Sequence, residues 1–207
     1  MGILEKFFKT GFFGMSVKGW ITLAVLFVVS IFAYDFLTKK PKRVLPPAMY
    51  KEDYTTWKEF LAEDGSFSVK FPGAPQHATA TEDAPFGVAK DKVTYHVYAS
   101  QGKDGTTFLV KEIQYPDTAP LGQEEVLFDD IVRDMITNNA NSKLIESKKG
   151  SFLNRPTRDF EIEAPGFLIR SRAFFAGKKL FVLTVMDRNP IHINDDFNTF
   201  VDSFQLR

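Results

Sequence analysis

The run WITLAVLFVVSIFAYDFL, Trp20 to Leu37, constrains this chain more than any other stretch. It is apolar apart from Thr22, Ser30 and Asp35, and its 18 residues at a helical rise of about 1.5 Å cover roughly 27 Å, close to a hydrocarbon core of about 30 Å. A core helix seldom carries Leu, Val, Ile and Phe on every face, so the pattern predicts one membrane-spanning helix over 20–38. Leu23, Leu26, Phe27 and Ile31 would face lipid or a partner helix, while Trp20 and Tyr34 lie near the ends, where aromatic rings favour the headgroup zone. Lys39, Lys40, Lys42 and Arg43 hold the far end in water, and Asp35 is near enough to that end to reach the interface. A cleaved signal would show a shorter apolar core and small residues at a cleavage point. This run passes instead into Tyr34-Asp35-Phe36, and the expectation is a retained anchor.

Charge divides the chain at the same place. Residues 1–43 carry 7 cationic and 2 acidic side chains, a net +5, whereas 44–207 carry 19 and 24, a net −5. The basic segment suits anionic lipid, and the acidic remainder lacks the basic face that nucleic acid requires, so no nucleic-acid partner is expected. Residues 1–19 mix Ile3, Leu4, Phe7, Phe8, Phe12 and Phe13 with Lys6, Lys9 and Lys18, the composition of an amphipathic segment lying on a membrane surface. Residues 39–56, rich in Lys, Arg and Pro, read as an extended linker. Residues 57–207 are long enough for one domain with its own core. With no Cys, disulfides, thiol catalysis and thiolate metal sites are excluded.

The distal domain reads as strands with two amphipathic helices. GSFSVKFPG alternates Phe67, Val69 and Phe71 with Ser66, Ser68 and Lys70 until Pro72-Gly73 ends the strand. KVTYHVYAS and TTFLVKEIQY flank the loop QGKDG as a hairpin. In LGQEEVLFDDIVRDMITNNAN, Leu127, Ile131 and Met135 share one helical face behind an acidic first turn. Three more strands follow. A turn at Pro165-Gly166 sets Asp159 opposite Arg172 and Glu161 opposite Arg170, with Phe160 and Ile162 on the other face. A second turn at Gly177-Lys178 brings in KKLFVLTVM, apolar on both faces and therefore central. Ile193, Phe197, Phe200, Val201 and Phe204 then fall at helical spacing, with Asn194 or Asp195 as the cap. The fold class is α+β: one mostly antiparallel sheet with amphipathic helices packed on it, behind the N-terminal membrane helix.

DGSFSVKFPGAP (Asp64 to Pro75), NRPTRDFEIEAPGFLIRSRAFFAGKKLFVLTV (Asn154 to Val185) and FVDSFQL (Phe200 to Leu206) together resemble PsbP-like proteins and related exported bacterial domains. The resemblance spans residues 57–207 and implies a PsbP-like sandwich with a non-enzymatic role, as an extrinsic or assembly subunit of a membrane complex. The chain departs from that family in its retained span, and none of the family's metal-binding residues is carried over. The four clustered cations after the span favour a cytoplasmic domain. A single early span before a large domain, together with the resemblance, favours an extracytoplasmic domain on a single-pass protein of the cell (inner) membrane, which is the expectation.

Candidate chemistry is sparse. His77 reads as a post-strand loop residue, His96 as a strand residue and His192 as the residue before the last helix, with no spacing that links them as ligands. Asp159, Glu161 and Glu163 line one strand face, and the opposed arginines account for them without a metal. Glu124, Glu125, Asp129, Asp130 and Asp134 form an acidic helix surface that could dock a partner. The 22 Phe residues leave room for Phe86, Phe152 or Phe174 to lie exposed in an apolar patch. No phosphate loop, nucleophile elbow or dinucleotide fingerprint is present, so neither an enzyme nor a cofactor is expected. The expected role is a membrane-anchored accessory or scaffold subunit whose partners are the lipid bilayer and an integral membrane protein complex. The alternative is a tethered module for a small ligand, lipid or metal.

Overall fold

The structure, a computed structural model, describes residues 52–83, 92–118, 124–137, 141–188 and 191–207. The expected surface segment, the span at 20–38 and most of the linker lie outside the described residues. Among the described residues no helix is long and apolar enough to cross a membrane.

A 3-10 turn, Tyr54–Thr56, opens the described chain. After it come β1 (Lys58–Leu61), β2 (Phe67–Phe71), β3 (Gln76–Asp83), β4 (Lys92–Gln101) and β5 (Thr107–Gln114). Helix α1 (Glu124–Thr137) leads to β6 (Lys143–Phe152), β7 (Arg155–Ala164), β8 (Phe167–Ala176) and β9 (Lys179–Asp187), and α2 (Ile193–Asp202) and β10 (Gln205–Leu206) close the chain. The strands form two antiparallel sheets rather than the single one expected: three strands in the order β1-β2-β10, and seven in the order β3-β4-β5-β9-β8-β7-β6. The small sheet arises because β2 takes its partners from β1 and from Gln205–Leu206, two residues beyond the end of α2.

β9 is the middle strand of the seven, as its two apolar faces require. Phe181, Leu183 and Val185 enter a core with α2 and the small sheet, while Leu180 and Val182 enter a second core with Leu127, Phe128 and Val132 of α1. The large sheet is therefore covered on both sides. The β7–β8 register pairs Asp159 with Arg172 and Glu161 with Arg170. Arg172 closes on Asp159 with two hydrogen bonds of 2.8 and 2.6 Å. Gly166 turns this hairpin at φ +82°, a conformation that only a residue without a Cβ adopts cheaply.

Several expectations fail for physical reasons. β3 and β6 are the two edge strands of the large sheet, and β6 is exposed along nearly all its length. Neither carries the hydrophobic alternation that marks a half-buried strand, and Lys148 and Lys149 on β6 suit an exposed edge. His77 lies in β3, not in a loop. The last helix starts earlier than expected: His192 is its cap, its carbonyl accepts the first helical bond from Asp196 N at 3.0 Å, and its side chain makes no capping bond. Asn194 and Asp195 sit inside that helix. Phe174 is fully buried, Phe152 packs edge-on against it at 5.3 Å, and Phe86 lies outside the described residues.

Candidate functional site

Four segments distant in sequence meet at the Asp187 end of β9. Asp53 caps the 3-10 turn by accepting from Thr55 N, and Trp57 packs edge-on against Phe108 at 4.7 Å and Phe200 at 6.4 Å. These contacts seat the preceding residue, Glu52, which is only 4% exposed. The β4–β5 loop closes through Gly102 N donating to Thr106 O at 2.8 Å, and Thr106 N donates to Asp104 Oδ1 at 2.8 Å. Asp187 ends β9, and Asp196 lies in the first turn of α2. One carboxylate oxygen each from Asp104, Asp187 and Asp196 lies within 4.8 Å of the other two.

Glu52 stands beside this trio. A Cβ built on Gly102 would lie 3.0 Å from Asp104 Oδ1 and 3.1 Å from Glu52 Oε2, so a larger residue there would press on both acids. Asp196 is fully buried. Its Oδ1 accepts a 2.6 Å bond from the Tyr54 hydroxyl, while its Oδ2 has no hydrogen-bond partner. Glu52 Oε2, Trp57 Nε1 and Thr106 Oγ1 at this same corner are also buried without a geometrically sound partner.

The electrostatics follow from that crowding. Burial pushes Asp196 up to about 6; the Tyr54 hydrogen bond opposes this, Asp104 and Asp187 reinforce it, and His192 opposes it. Burial followed by Asp104 likewise raises Glu52, against the nearby Trp57 indole and Lys103. Burial and the Asp196 carboxylate raise Tyr54, keeping it a donor. An all-oxygen set of this kind matches a hard divalent cation rather than one that prefers nitrogen or sulfur.

The opposite end of β9 gathers acids too, but around a lysine. Lys179 contacts Glu112 at 2.6 Å and pairs with Asp64, and Glu112 is 2% exposed. Burial alone would raise Asp64, yet the hydrogen bonds from Lys179 and Ser66 hold it down at about 2.

The residues singled out from sequence are distributed as follows. On α1, Glu125 receives Arg158 at 2.6 Å and Lys149 at 3.1 Å, and Asp129 receives Arg158 at 3.1 Å. Asp130 is turned inward, 5% exposed and bonded to Arg133 at 2.7 Å. Asp134 faces half-buried Lys111, whose ammonium burial pushes down while Asp134 and Glu82 hold it up. Glu124 is half-buried. These five acids do not share one solvated face, and three of them fasten α1 to neighbouring cations.

His77 and His96 are brought together across β3 and β4. Their ring nitrogens lie 3.2 Å apart, with His77 stacked on Tyr98 at 4.2 Å and 3.6 Å from Glu63. His192 is elsewhere, beside Asp196. The concavity lined by Glu59, Leu61, Gly65 and Arg207 is open to solvent.

Sequence reasoning missed the Glu52–Asp104–Asp187–Asp196 cluster. Its one local signal is Gly102-Lys103-Asp104-Gly105, which reads as an ordinary hairpin loop. Asp196 reads as an ordinary first-turn acid.

Comparison with known proteins gives no matching family model and no matching curated protein. Among solved structures, the solution structure of cyanobacterial PsbP (CyanoP) from Synechocystis sp. PCC 6803 is similar at 12% sequence identity and a TM-score of 0.49. The match covers 82% of this chain and 99% of that one. No activity or partner is transferred from it.

Proposed function

We propose that this chain is a single-pass membrane-anchored accessory or scaffold subunit of a larger membrane protein complex, without catalytic activity of its own. The observation that carries this reading is the 18-residue apolar run Trp20–Leu37 followed by a cationic stop. In it, the helix packs against partner helices within the bilayer, and the acidic domain caps the complex at the surface.

The domain's packing supports the same role. Phe67, Phe71, Phe108, Phe174, Phe181, Phe200 and Phe204 are all fully buried, so the sandwich is solidly filled beneath the small sheet. Such a body offers partners a surface. The first described residues are held to the domain by Trp57 in the core and by the Tyr54–Asp196 bond. Tethering raises effective concentration, so individually weak contacts suffice for assembly.

The test is purification from native membranes in mild detergent. Migration in a larger assembly with identifiable integral membrane proteins supports the reading, and migration only as a monomer contradicts it. A reporter fused after Arg207 reads the side on which the domain lies, expected to be extracytoplasmic.

A further inference from the structure

The carboxylate cluster at the end of β9 is arranged as acids are when something positive belongs between them. Two ligand oxygens held about 2.4 Å from a common calcium ion stand at most roughly 4.8 Å apart. The oxygens offered by Asp104, Asp187 and Asp196 satisfy that limit pairwise. Proximity of acids alone would say little, and two separate features point to a ligand. Asp196 is fully buried, and its Oδ2 has no partner although a buried carboxylate oxygen ordinarily has one. Glu52, 4% exposed, carries a second oxygen, Oε2, without a hydrogen-bond partner, and it and Asp104 Oδ1 lie 3.1 and 3.0 Å from where a Cβ on Gly102 would stand.

We propose that Asp104, Asp187 and Asp196, joined by Glu52, hold a calcium ion that fastens the inner end of the tether to the domain. Calcium fits better than its competitors. It accepts six to eight oxygens in irregular geometry, whereas magnesium demands a tight octahedron and retains water, and zinc seeks nitrogen or sulfur. The consequence for the chain is mechanical. Glu52 comes from the tether side, Asp104 from the β4–β5 loop, Asp187 from β9 and Asp196 from α2, so one ion ties four segments whose own charges push them apart. This goes beyond the accessory role and does not depend on residues 20–38 crossing a bilayer.

The experiment uses the full chain in mild detergent, melted in EDTA and then with calcium, magnesium or zinc chloride. Calcium at a hundredfold excess over its Kd is expected to raise Tm by about 5 °C or more, and magnesium by clearly less. Asp104 is exposed, so Asp104→Asn is expected to fold, to melt no lower than the parent in EDTA, and to lose most of the calcium response. A second readout is optical: the chain has 2 Trp, and Trp20→Phe leaves Trp57, whose indole adjoins Glu52, as the reporter. Calcium is expected to change its emission saturably, with the midpoint seen in melting. No calcium shift, a zinc or magnesium shift as large as that of calcium, or an Asp104→Asn response equal to the parent's overturns the site. A calcium shift with unchanged Trp57 emission overturns the fastening of the tether.

Discussion

Lys179 and Asp187 stand at opposite ends of the same strand, on the same face, about 27 Å apart at the usual strand rise. Each end sets buried acids beside an exposed one: Glu112 with Asp64 at one end, Glu52, Asp187 and Asp196 with Asp104 at the other. At the Lys179 end an ammonium sits between Glu112 and Asp64, and Asp64 is held well below the ordinary carboxylate range. At the Asp187 end, Glu52, Asp104 and Asp196 form no ion pair among the described residues, and Glu52 and Asp196 are pushed up instead. Burial pushes all three carboxyls up, and only at Asp64 do the hydrogen bonds from Lys179 and Ser66 outweigh it. One end takes its cation from the chain; the other, in our proposal, takes one from solution.

The largest effect should come from removing the built-in cation. Lys179→Met strands buried Glu112 beside Asp64 and should lower stability by about 3–5 kcal/mol in urea unfolding, the usual result of breaking one side of a buried pair. An effect below about 1 kcal/mol would mean that the two ends are not different in kind.

The opposite sign is expected at the other end. Asp196→Asn keeps the shape and the Tyr54 contact but removes a buried charge among like charges. In EDTA it should stabilise the chain by about 1–3 kcal/mol, since each unit of pKa shift corresponds to about 1.4 kcal/mol. The same substitution should cancel the gain from calcium.

Titration separates the ends further. Asp196 is raised from 3.8 to about 6, so the folded chain binds its proton before the unfolded chain does. Without added cations, its contribution makes stability rise as pH falls from about 7 to about 4. The groups facing it are Tyr54, Asp104, Asp187 and His192. Asp64 is lowered from 3.8 to about 2, so its contribution is present above pH 4 and is lost as pH falls from there toward 2. Urea midpoints across this range should show Asp196→Asn flattening the upper limb and Lys179→Met the acid limb.

The smallest effect is expected away from both ends. Glu125→Gln on α1 loosens exposed contacts to Lys149 and Arg158 and should leave the unfolding midpoint unresolved from the parent's. A clear loss there would show that the acidic helix matters more to the fold than either cluster.

Much of the scaffold can be read from local pattern. The β7–β8 register follows from Asp159 and Glu161 alternating against Arg172 and Arg170, and β9 is central because Leu180 to Val185 is apolar on both faces. β3 and β6 escape notice because solvent covers much of each edge strand and erases the alternation. The carboxylate cluster escapes for a different reason: Glu52, Asp104, Asp187 and Asp196 are contributed by the tether side, a hairpin loop, a strand end and a helix start. No spacing within one segment records their meeting. The packing of Trp57 on Phe108 and Phe200 and the Tyr54–Asp196 hydrogen bond close the corner.

The difference between the two ends of β9 is tested most directly by a crystal structure of the chain grown with calcium. The account predicts one ion between Asp104, Asp187 and Asp196, with oxygens about 2.3–2.6 Å away and Glu52 turned toward it. Crystals that diffract well yet show those carboxylates with no ion between them, or calcium bound only elsewhere on the surface, would contradict it.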